Sequence, residues 1–169
     1  MGSSWKPLTR SLWITYLTLC LAFILYAAIN NNRFLFLDYV NLPFHEFGHL
    51  FFGIFGQFMG LLGGTMAQLI IPAGLCGLFV RTGDIGGTCF CALWTGESLL
   101  NAAIYIADAR RMELPLVGGG EHDWNNILGS LHLLQHDAMI GILVKVTGWL
   151  IIAGASVWLA YMGFREEAG

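Results

Sequence analysis

Phe44-His45-Glu46-Phe47-Gly48-His49-Leu50 is an HExxH motif set inside a long apolar run, and its surroundings decide how the chain is read. On a helix, positions i and i+4 share a face, so His45 and His49 can offer two imidazole nitrogens to one metal ion while Glu46 lies beside them. Zinc suits that arrangement. The ion polarises a water and a carbonyl, the glutamate takes the water's proton, and a third protein ligand leaves one coordination position open. Between Tyr39 and Arg81 the charged or imidazole side chains are His45, Glu46 and His49. Groups of this kind are costly at membrane depth and mark functional sites there. The competing reading is a pair of core histidines hydrogen-bonded to neighbouring helices, with Glu46 paired to one of them.

The 169 residues are 56% hydrophobic and 11% charged, against about 25% charged in soluble domains. An integral, multi-pass membrane protein is expected, built as a single all-α transmembrane bundle in contact with the lipid bilayer. The formal net charge of -3 comes from few groups outside the apolar runs. With no basic patch, nucleic acid is excluded as a partner. Cys20, Cys76, Cys89 and Cys91 lie in or beside apolar segments and form no CxxC pair, so they read as small buried hydrophobes.

Working outward, the first uncharged run covers 11–29, preceded by Lys6 and Arg10 and followed by no A-x-A cleavage site. Its nineteen residues reach about 28 Å at 1.5 Å each, enough to cross a bilayer. It reads as an uncleaved first span with a cytoplasmic N-terminus, by the positive-inside rule. Asn41-Leu42-Pro43 reads as a helix start, with Asn as cap and Pro in the first turn. A second span is then expected over 39–60, in which Gly53, Gly56 and Gly60 allow close approach of another helix. Gly63-Gly64-Thr65 reads as a break before a segment over 64–80, where Pro72 suggests a kinked or re-entrant helix. Gln68 within it is a candidate to hydrogen-bond a substrate backbone, or to join helices.

A further span is expected over 88–107. Along it Glu97, Asn101, Tyr105 and Asp108 recur every three or four residues, a polar stripe that should face the bundle interior. Arg110 and Arg111 read as cytoplasmic anchors. The run Leu116-Val117-Gly118-Gly119-Gly120 reads as a flexible loop delivering His122 and Asp123, and Asp123 as the N-cap of an amphipathic segment to Leu134. The last span is expected over 138–164, interrupted by Lys145, which can snorkel or be paired. If every central segment crosses fully, the loop bearing Asp123 emerges opposite the start of the motif helix. Either 64–80 is re-entrant, the loop dips inward, or the histidines sit near mid-bilayer.

The candidates for a third ligand are Asp108, His122, Asp123, His132 and His136. With HEFGH in an early membrane helix, a Gly-rich turn, a helix bearing Asn101 and a late acidic residue, the chain resembles site-2-protease-type intramembrane zinc metalloproteases over residues 40 to 130. That family often carries its third ligand in an NxxPxxxxDG pattern. Here Asn101-Ala102-Ala103-Ile104 lacks the proline, Asp108 follows one residue early, and Ala109 replaces the glycine. Other members place the Asp at a helix start after a glycine-containing loop, which Gly120-Glu121-His122-Asp123 matches better. The resemblance thus implies zinc on His45, His49 and Asp123, with His122 and then Asp108 as substitutes. It also implies a membrane-protein substrate, with Asn101 or Gln68 orienting an unwound strand and Glu97 and Asp108 lining the site.

Two other function classes fit the same residues. A non-catalytic metal-binding subunit or scaffold of a membrane complex would keep the ligands and need no working Glu46. A di-iron oxidase of the desaturase kind would use two HxxxH pairs, His45 with His49 and His132 with His136, but five histidines fall short of its usual cluster of about eight.

Overall fold

The computed structural model describes residues 5–31, 33–115 and 121–167, with the side chains of 166 and 167 left aside. Among them there is no strand, and six α-helices follow one another. These are α1 (Arg10–Ile29), α2 (Phe36–Gly53), α3 (Gln57–Thr82), α4 (Ile85–Ala107), α5 (Asp123–Ser130) and α6 (Asp137–Glu167). Four of them, α1, α3, α4 and α6, are long and apolar enough to cross a membrane. Their outer faces carry exposed Leu, Ile and Phe, as surfaces against lipid do. The chain is consistent with a multi-pass integral membrane protein.

The helix ends follow local chemistry. Thr9 caps α1 by accepting the Leu12 N–H at 3.4 Å. Asp84 caps α4 by accepting the Gly87 N–H at 2.8 Å. Between α3 and α4 the turn is made by Gly83 at φ +70°, a left-handed position that glycine occupies without strain. Before α3, Gly56 at φ +110° turns the chain back from α2.

At the centre stands α4, packed on α6, α3 and α2. Glycine sets how closely α4 and α6 approach: a Cβ on Gly96 would lie 2.6 Å from Ile152 Cγ1, and one on Gly148 would lie 2.7 Å from the Gly96 carbonyl oxygen. Gly141 meets Ala107 near the other end of the pair, so the two helices run antiparallel. The α3–α4 pair is antiparallel as well, with Cys76 Sγ near the Thr88 carbonyl and Gln68 Nε2 near that of Ser98. Trp13 Nε1 donates to the Leu159 carbonyl at 3.1 Å and Cys20 Sγ lies 3.0 Å from Ser156 Oγ, which lays α1 antiparallel along α6. All four cysteines are free thiols.

Four antiparallel spans put the start of α1 and the end of α6 at one end of the bundle, where Trp5 stacks edge-on against Trp158. At the other end α3 begins, α4 stops, and α5 follows. Several expectations change here. The 39–60 segment is not among the four candidate spans: α2 carries Asp38, Asn41, His45, Glu46 and His49 within 18 residues. It begins beside the middle of α4, through Asn41 on Trp94 and Glu97, and ends beside the first turn of α3, where His49 meets Gly60.

The start of α2 also lies earlier than Asn41. Leu35 is the cap residue, its N–H donating 2.5 Å to Asp38 Oδ2, and Asn41 is buried inside the helix instead. Gly63-Gly64-Thr65 does not break α3, nor does Pro72, and 64–80 is part of one continuous 26-residue helix. In lipid, glycine serves close packing more than it ends helices. A Cβ on Gly48 would strike the Gly63 carbonyl and Ala67, so α2 and α3 touch backbone to backbone there.

Arg110 and Arg111 lie at the end opposite the chain's start. Arg110 grips the buried Asp137 through Nε and Nη2, each 2.7 Å from Oδ1. The two orientation signals, basic N-terminus and basic end of α4, therefore sit on opposite sides and disagree. The expected glycine loop at 116–120 lies outside the described residues.

Candidate metal centre

Because α2 stays in the half of the bundle where α4 ends, the short α5 helix can reach it without any helix re-entering. Trp124 Nε1 donates to Thr65 Oγ1 on α3 at 3.2 Å, and Asn125 Nδ2 donates to the Ala109 carbonyl just past α4 at 2.8 Å. So docked, α5 presents Asp123 to the motif. Oδ2 of Asp123 lies 3.4 Å from His45 Nε2 and 3.4 Å from His49 Nε2. The three ligand atoms all fall within 4.8 Å of one another, a group that could hold a metal ion.

Each ring is aimed by a hydrogen bond from its other nitrogen. His49 Nδ1 lies 2.8 Å from the Gly60 carbonyl, and His45 Nδ1 lies 2.9 Å from Gln68 Oε1. A backbone carbonyl only accepts, so His49 carries its proton on Nδ1. The Gln68 amide is oriented by the same logic, since its Nε2 donates to the Ser98 carbonyl at 3.3 Å and to Asn101 Oδ1 at 3.4 Å. Its oxygen is left to receive the His45 proton. Both Nε2 lone pairs then face one carboxylate oxygen, an arrangement that needs a cation or protons between them.

The carboxylate is in ligand form. Burial pushes the Asp123 carboxyl up, but the facing His45 and His49 rings outweigh it and hold the group below its ordinary value. Room for the rings comes from α3. A Cβ on Gly64 would lie 2.6 Å from His45 Nε2 and 2.7 Å from His49 Cε1. The donor set of two imidazoles and one carboxylate is that of a zinc site with a position left open, so the residues fit such an ion.

Glu46, one residue along α2, is exposed and lines a cavity of about 250 Å³ together with both histidines, Asp123, Asn101 and Tyr105. The polar stripe of α4 faces inward, with Glu97 fully buried and Asp108 8% exposed. Only part of the stripe reaches this cavity: Asn101 and Tyr105 line it, and Glu97 does not. Gln68 also lines it, but its amide is spent on His45, Ser98 and Asn101, which makes it an orienting group more than a contact for a substrate backbone.

His122 and Asp108, the substitute ligands, are not in the metal group and serve it from behind. His122, not Asp123, caps α5, its Nδ1 accepting the Asn125 N–H at 3.2 Å. Asp123, at the first helical position, is thereby freed for the histidines. The His122 ring stacks on Tyr105 with centroids 4.2 Å apart, and its Nε2 lies 3.5 Å from Asp108 Oδ2. Asp108 in turn accepts the N–H groups of Glu113 and Leu114 at 3.1 and 3.0 Å. His132 and His136 are exposed, and among the described residues no metal-capable group of three includes them. The second HxxxH pair of a di-iron cluster is not assembled.

Gly60 is expected from the sequence as a close-packing glycine and lies against Gly53, but the site roles of its carbonyl and of Gly64, Thr65 and Trp124 are not read there. Gly63-Gly64-Thr65, which reads in sequence as a helix break, lies inside α3 and leaves room for the two rings. No family model matches the chain, and neither a curated protein nor a solved structure matches it.

Replacing Gln68 by Leu is expected to lower zinc affinity about 10–100-fold, the usual cost of losing a partner that orients a metal-bound histidine. Competition with a chelating dye measures it. An unchanged affinity would mean that His45 is aimed by packing alone.

Proposed function

We infer that this chain is a zinc-dependent intramembrane endopeptidase that hydrolyses a peptide bond in or near a transmembrane segment. The observation carrying this reading is the convergence of His45 Nε2, His49 Nε2 and Asp123 Oδ2 beside a cavity that Glu46 also lines. The HEFGH resemblance to site-2-protease-type enzymes points the same way.

His45, His49 and Asp123 would hold the ion. When bound, zinc supplies Lewis acidity toward the scissile carbonyl and lowers the pKa of a water at the open position. Glu46 takes a proton from the attacking water and returns it to the leaving nitrogen. The C–N bond is exchanged for a C–O bond, giving one new carboxyl and one new amino terminus. Asn101, Tyr105 and Glu121 are further polar side chains lining the cavity that a bound peptide could meet.

A peptide bond inside a helix is shielded by the turns on either side of it, so the site favours segments whose Gly, Pro or polar residues let them unwind locally.

Protein reconstituted in vesicles with a single-span substrate is expected to carry one zinc per chain, to lose all cleavage when the metal is stripped, and to regain it when zinc is returned. Cleavage that persists in fully stripped protein would refute the assignment.

A further inference from the structure

Behind the metal cavity lies a second pair of acidic side chains that the proposed hydrolysis does not use. Asp38 comes from the first turn of α2 and Glu97 from the middle of α4, 5% and 0% exposed. Asp38 stands three residues before Asn41 on α2, Asn41 bonds Glu97, and both carboxyls line one small cavity at the α2–α4 contact. One oxygen of each is already engaged: Asp38 Oδ2 accepts the Leu35 N–H at 2.5 Å, and Glu97 Oε2 accepts from Asn41 Nδ2 at 3.1 Å. The Asn41 amide cannot be turned round, because its Oδ1 accepts from Trp94 Nε1 at 2.7 Å and an indole only donates. What remains is Asp38 Oδ1 and Glu97 Oε1, both buried and both without a partner.

Two buried carboxylate oxygens without a donor, at one helix contact and lining one cavity, are costly as a pair of anions, and a bound proton relieves that cost. We propose that Asp38 and Glu97 form a proton-binding site, holding one shared proton that clasps α2 to α4 and thereby keeps the histidine-bearing helix in place for the metal. The pair carries one negative charge while the proton is bound. Asp38 and Asn101 line the metal cavity as well as a small cavity on the other side, which gives the proton a route to exchange with water.

The surrounding titratable groups are consistent with a singly charged pair. Arg33, from the α1–α2 link, and Lys145, from α6, line the small cavity beside the two carboxyls. Tyr26 of α1 accepts the Phe36 N–H at 3.2 Å at the foot of α2, and Glu46 and Tyr105 stand across the metal cavity. Lys145, left open by its sequence position inside an apolar span, has a place here near the pair's net charge.

Loss of the proton leaves two anions facing each other across the α2–α4 contact, and the contact should open. The sign follows. On the acid side zinc affinity falls because the imidazoles protonate. On the alkaline side it falls a second time as the carboxyl pair gives up its proton, by about tenfold or more, the scale of losing the support of a ligand.

The test has two arms. In infrared difference spectra of the metal-free protein in lipid, a protonated carboxylic acid band is expected at neutral pH and should vanish on raising the pH. It should be absent at neutral pH in Glu97→Gln. In zinc titrations, Glu97→Gln should bind normally at neutral pH, since the amide supplies the missing donor, and should lack the alkaline fall. If Glu97→Gln does not fold, Asp38→Asn must show the same flat alkaline limb. The proposal is overturned if the wild type shows no protonated band, if a folded variant keeps the alkaline fall, or if Lys145→Gln removes that fall instead. The zinc arm rests on the metal site described above. The infrared arm involves neither zinc nor cleavage, so it stands if the endopeptidase reading fails.

Discussion

Glu46→Gln is expected to reduce cleavage by about 10²–10⁴-fold, the range attributed to a positioned general base, while one zinc per chain remains bound. The change is nearly isosteric and falls on a side chain that is exposed within the cavity. The helix, the His45–Gln68 and His49–Gly60 hydrogen bonds, and the contacts with Asp123 involve other atoms. Metal content by mass spectrometry and turnover of a reconstituted substrate are the two measurements. A scaffold that uses its metal only for structure would be indifferent to the substitution. A cellular readout that survives Glu46→Gln with zinc retained would therefore refute the endopeptidase proposal.

The second large effect is expected at a residue with no functional group. Gly64→Ala places a methyl 2.6 Å from His45 Nε2 and 2.7 Å from His49 Cε1, in the space between the rings. One of them must turn away, and zinc affinity should fall by at least the roughly 10–100-fold seen when a ligand loses its orientation. Alanine favours a helix over glycine by about 1 kcal/mol, so α3 itself gains. Metal loss without loss of fold is the expected pair of results, read by zinc titration beside circular dichroism. Gly74→Ala, where nothing lies within 4 Å, is the matched control and should leave zinc binding untouched. Equal affinity in the two variants would mean that the rings have slack the structure does not show.

Much of this was readable in the residues because two signals are local. Runs of apolar residues long enough to cross a bilayer mark α1, α3, α4 and α6, and a pair of histidines one turn apart on a helix marks a face for a metal. The rest depends on partners far away in the chain. Nothing near Asn41 says that its amide will meet Trp94 and Glu97, 53 and 56 residues on. The same distance hides the division of labour between His122 and Asp123, since either can cap a helix until α5 docks on Thr65 and Ala109.

Gly63-Gly64 was misread for a different reason. In water a glycine pair weakens a helix, whereas between membrane helices it lets backbones touch, and the packing role expected of Gly53 and Gly60 extends to Gly63 and Gly64. The extent of α2 was misjudged for a related one. Its polar residues are spaced by the turn of a helix, so a hydrophobic run that looks continuous in one dimension is amphipathic in three.

Since the motif helix starts level with the middle of α4 and stops at the first turn of α3, the hydrolytic chemistry proposed for it would be confined to one leaflet. A single-pass protein threaded in one direction would shed its amino-terminal part from that side, and one threaded in the other direction its carboxy-terminal part. Both fragments would be released into the same compartment, leaving the remainder anchored in the lipid.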